Sequence, residues 1–199
     1  MREAEQKYWN DQVVLGNKIR SDNFWKRQAI LKRLCALDII SKNVIEIGCG
    51  NATAFGALSH VLLGNFGYLG TELASLWAES AHKVFGFQTV ETDIVNIPVE
   101  DSQFDYCVAL DSLEHVRPED REKGYSEVSR VLKPAAAVVL NIPLDVSGHN
   151  DEFDHGFKDK DLFELLSSCR MRLHTYETYS VLCGKKKVKR SYAWAIGKR

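Results

Sequence analysis

Val44-Ile45-Glu46-Ile47-Gly48-Cys49-Gly50-Asn51-Ala52 is the stretch on which the fold turns. Three β-favouring apolar residues surround one carboxylate, and the chain then passes through two glycines into a helix-compatible segment. Such a run reads as a buried parallel strand feeding a tight turn. Gly48 and Gly50 allow backbone angles closed to other residues and let a ligand lie against bare main chain. The helix expected over Thr53 to Leu63, ending near Gly64, would aim its N-terminus at that ligand.

Working outward, Phe66 to Thr71 reads as a second strand with Glu72 just past its end, and Ala74 to Phe85 as a helix. A short strand at Thr89 to Glu91 leads to Asp93 and Ile94. Phe104 to Leu110 is a fourth strand ending at Asp111. Pro118 to Val131 is a helix, with proline near its start and Pro134 beyond its end. Ala135 to Asn141 is a fifth, apolar strand. This alternation predicts an α/β fold with right-handed β-α-β crossovers, a parallel sheet and helices on both faces. Lys160 to Ser168 reads as a helix, and His174 to Val181 and Ser191 to Ile196 as two strands.

In such a sheet the ligand sits at the carboxyl ends of the strands, where strand order reverses. Glu46, Glu72, Asp93 and Asp111 supply one carboxylate per strand end. A carboxylate after the second strand can accept two neighbouring ribose hydroxyls.

Glu46-x-Gly48-x-Gly50-x-Ala52 resembles the first motif of the Rossmann-like methyltransferases that use S-adenosylmethionine, with Ala52 for the usual third glycine. The nicotinamide fingerprint would want glycine at Thr53, and fails there. Leu110-Asp111-Ser112-Leu113-Glu114-His115-Val116 is similar to the fourth-strand motif of the small-molecule (type 11-like) branch. Arg130-Val131-Leu132-Lys133-Pro134 matches the R-x-L-K-P turn before their fifth strand, followed by Ala135-Ala136 instead of Gly-Gly. The resemblance spans about residues 40–145. It implies a Rossmann-like, doubly wound sheet with a C-terminal antiparallel hairpin, and an enzyme moving a methyl group to oxygen or nitrogen of a small molecule.

By the same resemblance S-adenosyl-L-methionine would be held by Glu46, Gly48, Cys49, Gly50, Glu72, Leu73, Asp93, Ile94 and Asp111. Glu72 would take the ribose and Asp93 with Ile94 the adenine. Glu46 would act through the turn and the cofactor's amino group, or cap nearby backbone. His115 is the candidate base or substrate contact, acting without metal; Asp111, Glu114, His115 and His149 form the alternative, metal-holding set.

Residues 1–42 are read as an N-terminal helical cap, 43–145 as the cofactor-binding core, and 146–199 as substrate loop plus hairpin, all in one domain. Trp25 to Leu34 is an amphipathic helix. Tyr8 and Trp9, placed before it, are either lid residues facing substrate or simple packing. His149, Asp154 and His155 lie in a polar loop that meets substrate or merely covers the surface. The basic run from Lys185 to Arg190 is read as a solvated loop, with an RNA contact as the rival. A cofactor-binding module without turnover is a second rival.

Composition narrows the classes. The chain of 199 residues is 45% hydrophobic and 27% charged, with a net charge of −1 that gives no global pull toward nucleic acid or membrane. No apolar run approaches membrane-spanning length, and the charged N-terminus is no signal peptide. Five scattered cysteines without C-x-x-C spacing read as reduced thiols of a cytoplasmic protein. Cys49 is taken as a small residue that fits its turn.

Overall fold

The computed structural model describes residues 2–14, 24–52, 54–56, 58, 66–144, 153–183 and 188–199. Its helices are α1 (Arg2–Val14), α2 (Phe24–Leu34), α3 (Ser75–Phe85), α4 (Pro118–Val131) and α5 (Asp159–Ser168). The strands are β1 (Asn43–Ile47), β2 (Gly67–Glu72), β3 (Gln88–Glu91), β4 (Phe104–Leu110), β5 (Leu132–Pro143), β6 (Arg172–Cys183) and β7 (Val188–Lys198). They form one seven-stranded sheet in the order β3-β2-β1-β4-β5-β7-β6. Neighbours from β3 to β5 run parallel, while β7 is antiparallel to both β5 and β6. This is the Rossmann-like sheet with its antiparallel C-terminal pair. The order reverses between β1 and β4, opening a crevice at their carboxyl ends.

Alternation along each central strand sends side chains to two cores. Ile45, Cys107, Val138 and Ala195 meet Tyr125 and Val128 of α4 and Leu162 and Leu165 of α5. Val44, Val108, Val139 and Trp194 meet Ile30 and Leu34 of α2 and Phe55 and Leu58 of the helical segment after β1. Helices therefore cover both faces.

α4 starts with Pro118 at its first turn, beside Glu119 and Asp120, which favour the positive end of the helix dipole. Arg130, near its other end, gives Nη1 to the Val99 carbonyl at 2.7 Å and Nη2 to the Ile97 carbonyl at 2.8 Å. The arginine of the R-x-L-K-P motif thus ties the β3–β4 connection to α4.

Three expectations need correction. β5 begins at Leu132, not Ala135, because Leu132 already pairs with Phe104. The motif's turn survives as a bulge: two steps on β4, Phe104 to Tyr106, face five on β5, Leu132 to Ala137. Lys189 and Arg190 belong to β7 rather than to a loop, paired with Leu182 and Val181. Finally, Tyr8 and Trp9 do not precede the first helix; they lie inside α1. Its residues show little amphipathic periodicity; Arg2, Gln6 and Asn10 hold it through polar side-chain bonds, and Tyr8 and Trp9 through aromatic contacts.

Candidate functional site

β1 ends at Ile47 and the chain turns through Gly48, φ +64°, and Gly50, φ +52°. A Cβ on Gly48 would stand 2.5 Å from the Ser112 Cβ, so glycine is required there by space as well as angle. A Cβ on Gly50 would meet nothing within 4 Å, so the main chain there borders open space. Ala52 also has a left-handed φ, +52°, and is buried. The third position of the motif therefore demands a backbone angle and not only a small side chain. The Cys49 N–H binds the Thr71 carbonyl at 2.9 Å, pinning the turn to β2. Burial, with Glu46 and Glu72 nearby, pushes the Cys49 thiol far up, which removes it as a nucleophile.

Glu46 is buried and accepts the Tyr68 hydroxyl at 2.5 Å. Burial pushes it up to about 8, the Tyr68 bond opposing and Glu72 adding to the rise. Glu72, the last residue of β2, accepts the Gly50 N–H at 2.8 Å and the Ala74 N–H at 3.0 Å, one per carboxylate oxygen. Burial raises its pKa against those backbone bonds. Each oxygen keeps acceptor capacity for a further donor.

Asp93 accepts the Val95 N–H at 3.2 Å and pairs with Arg2 of α1 at 3.1 Å, while Ile94 beside it is buried. The Gln6 side-chain amide donates to the Leu73 carbonyl at 3.2 Å. Asn10 accepts the Leu76 N–H at 3.1 Å, satisfying an orphan donor in the first turn of α3, which has no side-chain cap of its own. α1 therefore lies across the carboxyl ends of β2 and β3.

Asp111 follows β4 with φ +53°, and its N–H binds the Asn141 carbonyl at 2.9 Å. One carboxylate oxygen accepts the Asn141 amide at 2.5 Å, and the other pairs with the Lys26 ammonium from α2. Tyr179 gives its hydroxyl to the Asn141 Oδ1 at 2.5 Å. Lys26, Asn141 and Tyr179 were not foreseen. Lys26 reads in sequence as the solvated face of an amphipathic helix, and nothing in one-dimensional spacing marks Asn141 or Tyr179.

The 3-10 turn Leu113–His115 continues the site. Glu114 is buried and pushed up to about 8, by burial first. His115 sets Nδ1 at 3.3 Å from the Phe153 carbonyl, and its ring meets Trp9 edge-on. Tyr8 packs on both Trp9 and Phe153, each at 5.0 Å between centroids. Asp154 accepts the Gly156 N–H at 2.9 Å, a turn-forming bond. The His155 N–H binds the Glu114 carbonyl at 2.9 Å while its side chain is exposed. His149 lies outside the described residues. Among the described residues no three His, Cys, Asp or Glu side chains converge as a metal site, and Asp111 is already engaged by Lys26 and Asn141.

A family model described as a methyltransferase domain matches residues 44–135. No curated protein matches the sequence. Among solved structures, an S-adenosylmethionine-dependent methyltransferase from Methanosarcina mazei superimposes with a TM-score of 0.68 at 19% identity, covering 84% of this chain and 96% of that one. One from Thermotoga maritima, named a possible histamine N-methyltransferase, gives 0.68 at 16% identity, covering 97% and 96%. A TehB-like methyltransferase from Corynebacterium glutamicum gives 0.63 at 18% identity, covering 100% and 98%. These structural likenesses speak for the fold, and the domain match for the class of enzyme.

Proposed function

We propose that this chain, whose residues 44–135 match a methyltransferase domain, uses S-adenosylmethionine to methylate an oxygen or nitrogen of a small-molecule acceptor. The observation that carries this reading is the aromatic roof. Tyr8 and Trp9 of α1 pack on Phe153 and His115 at the carboxyl ends of the strands, which suits a compact acceptor under a closed lid.

The residues present fit the cofactor: Gly50 leaves bare main chain where a side chain would otherwise stand, and Glu72 retains acceptor capacity beside it. When bound, the cofactor supplies a methyl group already activated by its sulfonium. Glu72 would accept the ribose hydroxyls, and Asp93 with the Ile94 N–H would read the adenine edge. The chain's remaining work is to hold the acceptor in line and remove its proton. With Nδ1 toward the Phe153 carbonyl and Nε2 3.9 Å from Glu114 Oε1, His115 would take that proton on Nε2.

A second reading, an RNA acceptor, draws support from the hairpin. Pro143 at the carboxyl end of β5 pairs with Tyr192, so Lys189 and Arg190 extend beyond it on the same edge as the site. Free cysteines at Cys35, Cys49, Cys107 and Cys169 favour a reducing, cytoplasmic setting. Among the described residues no helix is long and apolar enough to cross a membrane.

The test offers the protein a labelled methyl donor together with either the small-molecule fraction or the RNA of a cell extract. Label appearing in the small-molecule fraction supports the proposal. Label appearing only in RNA, and lost when Lys189 and Arg190 are neutralised, replaces it with the second reading.

A further inference from the structure

We propose that the β6 edge of the sheet is an interface with a second copy of this chain. The two β6 strands pair antiparallel about a two-fold axis that passes between His174 and Thr175.

The sheet has two edges, and they differ. β3 is four residues long, and its Glu91 is engaged by Gln6 of α1. β6 is twelve residues long and pairs with β7 alone. A long open edge presents main-chain donors and acceptors to any further strand, and proteins guard such edges or cover them. On β6 the exposed apolar residues Leu173 and Tyr176 stand 37% and 43% exposed, and Phe163 of α5 is 58% exposed.

The face each side chain takes follows from its neighbours. Leu173 lies opposite Gly197, where an added Cβ would stand 2.2 Å from the Leu166 Cδ2 of α5, so Leu173 points to the α5 face. Tyr176 lies opposite Ala195, which packs in one cluster with Leu162 and Leu165, so it points there too. Phe163 sits about 200° around α5 from Asp161, which pairs with Arg121 of α4 at 2.7 Å; it therefore occupies the flank away from α4. Glu177 meets Arg33 of α2, which puts it on the opposite face of the sheet. Arg172, the neighbour of Leu173, points to that α2 face as well.

Leu173 and Tyr176 share a face because β6 is bulged between Leu173 and Thr175. In a regular strand, residues an odd number of positions apart lie on opposite faces, and two-fold pairing of one with the other is impossible. With the bulge, an axis between His174 and Thr175 sets Leu173 against Tyr176 of the second copy on one face. On the other face it sets Arg172 against Glu177 of the second copy. Each pair occurs twice. Arg172 is exposed, lies opposite Lys198 of β7, a like charge, and has no ion-pair partner among the described residues. Glu177 is 47% exposed and accepts the Arg33 Nε–H on Oε1, which leaves Oε2 for the incoming guanidinium. The apolar and the charged pairs thus agree on one register, and that register is two-fold, which selects a second copy over an unrelated strand.

The paired segment is short, so the association is expected to be weak and reversible. Sedimentation velocity of the parent protein between about 1 µM and about 300 µM should show a monomer–dimer equilibrium. Arg172→Glu should weaken dimerisation about a hundred-fold, roughly ten-fold for each of the reversed pairs, with the melting temperature near that of the parent. Cross-linking tests the register. With Cys35→Ser and Cys183→Ser as background, chains carrying Leu173→Cys mixed with chains carrying Tyr176→Cys should form a disulfide-linked dimer on mild oxidation, and either variant alone should not. A parent protein that stays monomeric to about 300 µM overturns the proposal and leaves the edge to a different chain. A dimer indifferent to Arg172→Glu, or Leu173→Cys cross-linking to itself as readily as to Tyr176→Cys, overturns it as well.

Discussion

The indole of Trp9 meets the imidazole of His115 edge-on, with ring centroids 4.7 Å apart and planes at 66°. One ring belongs to the N-terminal helix and the other to the turn after β4, so the contact joins α1 to the residue proposed as the base. Trp9→Ala is expected to leave the fold intact and to lower turnover by about ten-fold, because the aromatic contact that seats α1 is worth roughly 1 kcal/mol and also orders His115. Hydrogen exchange checks the cause: amides of Arg2–Val14 should exchange faster in the variant and slower when S-adenosylhomocysteine is added. Unchanged turnover together with unchanged exchange reduces α1 to packing.

Glu72 joins the glycine turn to the start of α3 through one carboxylate. Glu72→Ala removes both bonds and the acceptor proposed for the ribose, so S-adenosylhomocysteine should bind about 1.5–3 kcal/mol more weakly. Glu72→Gln, which keeps one acceptor oxygen, should lose less. Normal affinity in Glu72→Ala rules out the ribose assignment.

The fold was largely legible because the strongest signals in the sequence are local. A β-run, a glycine turn and a proline-led helix fix β1, β4 and α4 from short-range chemistry alone, and the carboxylate at each strand end follows from the register. Tertiary partners were not legible in that way. Arg2, Gln6 and Asn10 hold α1 through bonds to residues more than sixty positions away, and the Lys26–Asp111–Asn141–Tyr179 chain draws on four separate elements. Ala52 shows the same limit in miniature, since its small side chain is visible in sequence and its φ of +52° is not.

That angle has a measurable consequence. An L-residue in the left-handed region is strained by about 1–2 kcal/mol, while removing a buried methyl costs roughly 0.8 kcal/mol. Ala52→Gly should therefore be neutral or slightly stabilising in thermal unfolding. Ala52→Val, a β-branched residue at the same angle, should destabilise by about 2 kcal/mol or more. Equal stability of the valine variant and the parent contradicts the assigned backbone.

Glu46 and Glu114 make a prediction about pH. Burial pushes both up to about 8 from an ordinary value of 4.5, so the folded chain binds protons that the unfolded chain has released. Their contribution is complete at and below the ordinary carboxylate range and is lost as pH rises toward 8. The cofactor-free protein should lose melting temperature from about pH 5 to about pH 8, and Glu46→Gln should flatten that slope. Glu127 acts in the opposite sense in more acid solution, because its hydrogen bond to Arg130 holds it below the ordinary range. A melting temperature that climbs through the window, with no difference between parent and Glu46→Gln, contradicts the buried-acid assignment.

The most direct test of the whole account is calorimetric titration of the unmodified protein with S-adenosylhomocysteine. Micromolar or tighter binding is expected, on the order of −8 kcal/mol, with about one ligand per chain. No heat of binding at ligand concentrations of about 1 mM, where even a complex of roughly −4 kcal/mol is half formed, contradicts the account at its centre.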